Sequence, residues 1–380
     1  MGERRIPQRV LGKTGLKVSV LGLGGFHQVE IGQSYVERLV ERYLEAGGNY
    51  IETARSYGGG AAERKLGRAL VGKRAEIVLV SKTGQREAEG AWQEINESLE
   101  ALKTDYLDIL LYHGVNDREA VKAILAPGGA AQAFARAREE GMVHFIGVSS
   151  HWPQLLPWVM EQLDLDVVMY WVNYLDFCHY PEIPQQVAPA ARSKRLGIIG
   201  MKPLADGYLY RSVREAFTFA LAQEVDVLAC GFNSLEMLER DIEAVCAWTQ
   251  PNVQVLETIL RDAPELGDYV CRQCGQCRLP DLDLPKVFEL EGKFDRQMFD
   301  GRPKEAPDYA LRQRLGPWFH NQERAITLYK PYAERVRTFL EESRPLPACP
   351  YGIDLSWKLR LAHLKLTSDG RFPAGAADDF

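Results

Sequence analysis

No run of apolar residues in this chain approaches about 18, the length at which a stretch begins to read as a membrane span. The segment Met1-Gly2-Glu3-Arg4-Arg5 carries two arginines but lacks the apolar core of a secretion signal, so a cytoplasmic protein is expected. Basic residues are outnumbered. The 46 Lys and Arg against 52 Asp and Glu leave a net charge of −6, which argues against a nucleic-acid binder with its basic stripe. A complete dinucleotide-binding glycine loop is also missing. Gly22-Leu23-Gly24-Gly25 follows a strand, but His27 stands where G-x-G-x-x-G needs its last glycine, and no helix opens directly after it. There is no low-complexity tract and no repeat finer than a strand–helix unit. Cysteine is sparse and uneven: of seven, Cys178, Cys230 and Cys246 are scattered, whereas Cys271, Cys274 and Cys277 are crowded together. In a cytosolic chain such crowding points to metal or redox chemistry rather than a disulfide framework.

What is present is a globular composition, 46% apolar and 26% charged over 380 residues, enough for one large domain and a smaller one. Residues 9–18 read as a small hairpin with turn signals at Gly12 and Gly15, followed by a strand over 19–25. Helical spacing over 34–47 puts Val36, Leu39, Val40, Tyr43 and Leu44 on one face and stops at Gly47-Gly48. The alternation then continues. Strand 49–53 precedes helix 61–71, 76–81 precedes 88–102, and 106–112 precedes 130–140. Strand 143–149 precedes helix 153–162, 166–172 precedes 183–195, 197–201 precedes 212–223, and 225–230 precedes 234–247. Runs such as Ile77-Val78-Leu79-Val80 suit strands buried on both faces. A doubly wound sheet and a closed barrel both fit alternating units. Unit count and length favour the α/β class in its (β/α)8 barrel form, with the leading hairpin closing the bottom. Past Pro251, expected to begin a linker, the alternation stops. Loops such as 302–307 lead to helices over 322–342 and 355–366 and then a frayed tail. The expected division is a barrel over 1–250 and a cysteine-bearing, mainly helical and loop domain over 251–380.

In such a barrel, reactive groups gather at the C-terminal ends of the strands. Glu52 ends the second strand, with Tyr57 in the loop after it. Lys82 ends the third and His113 the fourth. A tyrosine of pKa about 10 is a weak acid near neutrality, and a nearby ammonium lowers that value. An acid beside the lysine keeps it protonated, and the histidine can hydrogen-bond a substrate carbonyl. Taken singly, each residue is more often structural. Their joint placement points to a tyrosine general acid for carbonyl reduction.

The stretch 49–63, with Glu52-Thr53-Ala54, Tyr57-Gly58 and Glu63, resembles the signature of the aldo-keto reductase superfamily. Val80-Ser81-Lys82 and Leu111-Tyr112-His113 are similar to that family's lysine and histidine segments, and Gly147-Val148-Ser149-Ser150 to a segment near its nicotinamide. The similarity spans about 5–248. It implies an NAD(P)-dependent oxidoreductase moving a hydride between a nicotinamide and a carbonyl or alcohol, with catalytic residues Tyr57, Lys82, Glu52 and His113. Glu52 stands where the family has aspartate. The implied cofactor contacts are Ser149, Ser150, Trp171, Met201, Lys202, Gly231 and Arg240, with a pyrophosphate on backbone amides near Gly231 and the helix at 234. Several of these depart from the family. Trp171 precedes Asn173-Tyr174 where a glutamine is usual, Met201 replaces a stacking tyrosine, and Arg240 falls a turn late for a 2′-phosphate. NADP and NAD therefore both stay open. His27, Trp152, Tyr174 and Phe232 would make the pocket aromatic.

Cys271-Arg272-Gln273-Cys274-Gly275-Gln276-Cys277, with Cys349-Pro350 far downstream, resembles the thiolate run of a bacterial ferredoxin, which binds a [4Fe–4S] cluster. Some aldo-keto reductase-like proteins carry such a C-terminal segment. The expected metal ligands are Cys271, Cys274, Cys277 and Cys349, with zinc or free thiols as alternatives. Cys178, Cys230 and Cys246 read as buried small hydrophobes. Two functions follow: an oxidoreductase of small carbonyls or alcohols with an accessory cluster and a redox partner protein, or an electron-transfer or interaction module on a barrel with impaired nicotinamide use.

Overall fold

The computed structural model describes residues 5–295, 321–342 and 344–367. Strand β1 (Gln8–Val10) pairs antiparallel with β2 (Lys17–Ser19). The turn between them enters the left-handed region at Gly12 (φ 47°), where a Cβ would lie 2.2 Å from the Gly197 amide nitrogen, so only glycine fits. The ribbon therefore packs on the chain at Gly197, where a barrel strand begins.

Eight parallel strands close into a barrel. They are β3 (Leu21–Gly24), β4 (Tyr50–Glu52), β5 (Val78–Thr83), β6 (Leu107–Tyr112), β7 (Val143–Ser149), β8 (Val167–Trp171), β9 (Gly197–Met201) and β10 (Val227–Cys230). Each pairs with the next, and β10 returns to β3 with Leu228 opposite Leu21. Closure removes both sheet edges, which decides against the doubly wound alternative. Every residue of β5 and β6 is buried, as their unbroken apolar runs require.

Helices α1 (Gln33–Glu45), α2 (Ala61–Ala69), α3 (Ala88–Leu102), α4 (Arg118–Leu125), α5 (Ala130–Glu139), α6 (Leu156–Gln162), α7 (Tyr174–His179), α8 (Ala188–Ser193), α9 (Val213–Ala222) and α10 (Leu235–Cys246) follow in order. In α1 the buried face is Val36, Leu39, Val40 and Tyr43. The Tyr43 hydroxyl donates to the Leu21 or the Tyr50 carbonyl (2.7 and 2.9 Å), fixing the helix to β3 and β4. Two expectations fail here. A single helix over 183–195 is replaced by a π-turn at Ile183–Val187 and the short α8, because Pro184 and Pro189 lack the amide hydrogen a continuous ladder needs. Helix α4 goes unforeseen, although Asp117 caps it by accepting from the Ala120 amide at 2.8 Å.

The chain divides into two compact units. One holds the barrel, up to Asn173 and over Glu182–Asn252. The other holds Tyr174–Pro181 and the described residues from Val253 onward. Besides α7, the second contains α11 (Val253–Asp262), α12 (Leu284–Asp295), α13 (Asn321–Glu341) and α14 (Leu355–Thr367). Val253–Asp262 is thus helical where a linker was expected. Its core joins Phe288 and Leu290 of α12 to Tyr329 and Val336 of α13 and Leu359 of α14. Charges are buried inside it in pairs: Lys358 donates to Glu291 at 2.6 Å and Lys293 to Glu289 at 2.6 Å. The stretch 302–307 and the tail beyond 367 lie outside the described residues. Among the described residues no helix is long and apolar enough to cross a membrane.

Candidate active site

Strands β4, β5 and β6 end side by side, and their terminal side chains meet. The Lys82 ammonium, buried at the end of β5, donates to the Glu52 carboxylate of β4. It also donates to the Thr53 carbonyl at 2.8 Å and to the Tyr57 hydroxyl at 3.2 Å. Tyr57 reaches this point because its loop turns back through Gly58, Gly59 and Gly60, all at positive φ (57°, 59° and 79°), before α2 begins. Its ring lies edge-on to His113, centroids 5.7 Å apart, and to Phe26 at 5.0 Å. His113 Nδ1 stands 3.3 Å from the Ser56 hydroxyl. The four residues singled out from sequence therefore form one contiguous cluster. The acid at 63, also in that stretch, lies behind it: buried Glu63 accepts from Ser81 at 2.7 Å and pairs with Arg55 at 3.2 Å.

Burial governs the electrostatics. It pushes the Tyr57 phenol up to about 12; Glu52 adds to this, while the Lys82 charge opposes it. The lysine was expected to make tyrosine a stronger acid than usual, and here desolvation and the glutamate outweigh it. Burial raises Glu52, with Lys82 pulling the other way. Burial works against the Lys82 ammonium, but Glu52 and Tyr57 more than compensate, and its pKa rises. Burial, aided by Lys82 and Arg86, lowers His113 to about 3, so the imidazole is neutral at physiological pH.

Several of the side chains expected to hold a cofactor are engaged with partners in the protein. Ser149 is buried and its hydroxyl accepts from the Gly114 amide at 3.0 Å. Ser150 donates to Asn116 at 3.2 Å and accepts from the Trp152 amide at 3.0 Å. Trp171 is fully buried and its indole donates to His151 Nδ1 at 3.0 Å, which puts the imidazole proton on Nε2. Met201 is buried. Gly231 packs so closely on His27 that a Cβ would lie 2.0 Å from Nδ1. At the start of α10 the Leu235 amide donates to Tyr35 (3.0 Å) and the Met237 amide to Ser234 (3.1 Å), so two of the amides proposed for a pyrophosphate are taken. Arg240 is exposed on the second turn of α10. Lys202 forms an ion pair with Asp206 at 2.6 Å. Phe232 and Trp152 are buried in the barrel unit. Tyr174, in the second unit, donates to Glu265 at 3.2 Å. His151, Ser56 and Asp206 escaped the sequence reading. His151 adjoins a segment already noted and Ser56 lies inside the stretch 49–63, whereas Asp206 is visible only through a bent loop.

In the second unit Cys277 is buried in the helical core, Cys271 and Cys349 pack against that core, and Cys274 is exposed. Burial pushes the Cys271 thiol up to about 11, and Cys277 and Cys274 lie near enough to raise it further. Burial raises Cys277 too, with Cys274 and Cys349 adding to it. The four thiols thus share one neighbourhood, yet among the described residues no three His, Cys, Asp or Glu side chains are set as a ready metal site. Cys178 is buried as expected, but within electrostatic reach of Arg272 and Cys271 rather than scattered from the group.

A closed parallel (β/α)8 barrel with titratable groups gathered at adjacent strand ends has the layout of a barrel enzyme. Residues 20–265 match the model of the Aldo/keto reductase family, and the chain belongs to that family. It is 24% identical over 264 residues to the Bacillus subtilis oxidoreductase YqkF, covering 66% of this chain and 82% of that one. It is 29% identical over 226 residues to L-galactose dehydrogenase of Arabidopsis thaliana, covering 54% and 67%. The fold is shared with the aldo-keto reductase AKR11C1 of Bacillus halodurans at a TM-score of 0.59 and 24% identity, over 68% of this chain and 97% of that one.

Proposed function

We propose that the barrel, residues 1–250, catalyses NAD(P)-dependent interconversion of a small carbonyl compound and its alcohol, with Tyr57 as general acid. The observation carrying this reading is the single lysine nitrogen shared by the Glu52 carboxylate and the Tyr57 hydroxyl. Buried polar atoms at the mouth of the barrel unit also suit a bound polar ligand. Thr53 Oγ1, Gln28 Oε1 and His27 Nδ1 have no hydrogen-bond partner among the described residues. A nicotinamide, when bound, supplies the hydride. The protein's own part is the proton. Tyr57 donates it to the carbonyl oxygen, and the phenolate so formed is stabilised by the Lys82 ammonium 3.2 Å away. Glu52 holds that ammonium charged and in place. His113, neutral and braced against Ser56, donates a hydrogen bond that orients the carbonyl without adding a second charge. Tyr57→Phe should lower kcat for aldehyde reduction by about a hundredfold or more, the range of general acid catalysis, with dinucleotide binding retained. Undiminished reduction in that variant would remove Tyr57 from the role.

The donor chemistry of residues 251–380 supports a [4Fe–4S] cluster on Cys271, Cys274, Cys277 and Cys349. Cys271 lies within electrostatic reach of Cys274 and Cys277, and Cys277 within reach of Cys349, which suits thiolate ligation, and the turns at Gln273 (φ 55°) and Gly275 (φ 73°) bend the loop between the first three. Such a cluster would serve exchange of electrons with a redox partner protein. Protein purified without oxygen should contain iron and acid-labile sulfide in equal amounts and absorb broadly in the visible, and Cys274→Ala should lose both. Zinc in place of iron would refute the cluster.

A further inference from the structure

Tyr57 sits on a loop with little reason of its own to hold one shape. Gly58, Gly59 and Gly60 follow it, all at positive φ. A Cβ added at Gly59 would have no neighbour within 4 Å among the described residues. Three successive glycines give the unfolded chain many alternatives, so fixing this loop is entropically costly. The loop's own hydrogen bonds are long. The Gly59 amide donates to the Ser56 carbonyl at 3.4 Å, the Ala61 amide to the Gly58 carbonyl at 3.2 Å and the Ala62 amide to the Tyr57 carbonyl at 3.4 Å. Yet the Tyr57 hydroxyl is held 3.2 Å from the Lys82 ammonium.

Before Tyr57 the backbone is pinned to β5. The Thr53 amide donates to the Val80 carbonyl at 2.8 Å, and the Arg55 amide to the Lys82 carbonyl at 3.1 Å. After Tyr57 the Arg55 side chain takes over. Its guanidinium lies so close to Gly60 that a Cβ there would fall 1.6 Å from Nη1. Nη1 donates to Glu63 of α2 at 3.2 Å, and Nε donates to Glu97 of α3 at 2.8 Å. Nη2 also lies 2.8 Å from the Glu97 carboxylate. The other oxygen of Glu63 accepts from Ser81, the residue before Lys82. One cation thus spans the loop from its entry at 55 to its exit at 60–63, and links both to the strand that carries Lys82. The planar fork of arginine reaches two carboxylates at once, which a lysine ammonium would not do as well. Burying Glu63 in such a pair adds little to stability, since desolvation offsets most of the attraction. What the pair does achieve is to fix a glycine loop.

We infer that Arg55 is a positioning residue, whose guanidinium clamps the loop over 56–60 and so holds the Tyr57 hydroxyl against Lys82. The clamp rests on this geometry alone. Its effect on rate rests on Tyr57 being the general acid.

The test compares the full chain with Arg55→Met, Glu97→Ala, Tyr57→Phe and the double variant Arg55→Met/Tyr57→Phe. Amide hydrogen exchange of the peptide over 53–63 is followed by mass spectrometry, and benzaldehyde reduction is measured with NADPH and with NADH. Arg55→Met should speed exchange in that peptide by about tenfold and leave the other barrel peptides unchanged, as a local opening does. It should lower kcat by about ten- to a hundredfold, the scale of a displacement of about 1 Å. KM for benzaldehyde should stay within about twofold of wild type, because the clamp acts on the acid and not on substrate binding. Glu97→Ala should move exchange and kcat the same way but by only about threefold, since Glu97 is the more exposed partner. In the Tyr57→Phe background, Arg55→Met should cost nothing further, because the two losses share one cause. An equal loss in both backgrounds would mark general damage and overturn the positioning role. Unchanged exchange over 53–63 in Arg55→Met would overturn the clamp. Should Arg55→Met fail to fold with Glu63 left unpaired, Glu97→Ala decides, and unchanged exchange and kcat there overturn the proposal. Undiminished reduction in Tyr57→Phe would defeat the acid role, while faster exchange in Arg55→Met would still uphold the clamp.

Discussion

Glu52 carries one methylene more than the aspartate its position resembles, yet its carboxylate still meets the Lys82 ammonium. The longer side chain is accommodated because β4 and β5 are in register, with Glu52 opposite Val80, and the lysine comes from two residues further along β5. Glu52→Asp withdraws the carboxylate by about one carbon–carbon bond, roughly 1.5 Å. It should lower kcat for reduction by about tenfold, a change a kinetic comparison with wild type resolves. Lys82→Met leaves a buried carboxylate without its counter-ion and should cost about 3–5 kcal/mol, read as a lower urea midpoint. The pH dependence follows from Tyr57. Its phenol is held up to about 12, so the protonated acid persists through neutral and mildly alkaline pH. Reduction should stay flat there, while alcohol oxidation, which needs the phenolate as base, should rise with pH. A reduction rate that falls near pH 10, the ordinary tyrosine value, would contradict this assignment.

Elements were legible where one face is buried and the other wet. Helix α1 announced itself by spacing, and β5 and β6 by length and apolar content. Helix α12 did not, because it is buried nearly all round. Glu289, Glu291 and Lys293 lie inside with Phe288 and Leu290, so no apolar stripe marks a face. Pro184 and Pro189 interrupt the helix over 183–195, a break whose cause is present in the sequence. Helix α10 hides a different surprise. Asp241 is fully buried, accepts from the Cys230 thiol at 3.3 Å, and its Oδ1 has no hydrogen-bond partner among the described residues. Burial raises its pKa from 3.8 to about 7. The folded value exceeds the unfolded one, so folding favours the protonated form. Stability is full below about pH 4, is lost as pH rises toward 7, and stays reduced above that, by a few kcal/mol on the order of 1.4 per unit. Asp241→Asn should therefore raise the melting temperature at pH 8 and change it little at pH 4, which thermal scans at the two values can check.

At the scale of the whole chain, the two units rest on different physics. The barrel is closed by backbone hydrogen bonds around all eight strands. The second unit combines an apolar core with paired buried charges and a group of thiols, of which Cys277 lies in that core and Cys271 and Cys349 pack against it. Assembling a cluster there would couple binding to folding. Reconstitution with iron and sulfide should raise the unfolding midpoint of the full chain in calorimetry, and Cys274→Ala should abolish that rise. The sequence by itself determined the alternation of strand and helix, and with it the barrel and the residues at its strand ends. Hydrophobic period and strand length are local properties that survive without neighbours. Only the tertiary structure decided that Lys82 serves Glu52 and Tyr57 together, that burial outweighs the lysine in setting the tyrosine, that Trp171 is spent on His151, and that Lys202 is already paired with Asp206. Those outcomes depend on distances and desolvation between segments far apart in the chain or folded back on themselves, which no spacing along the sequence records.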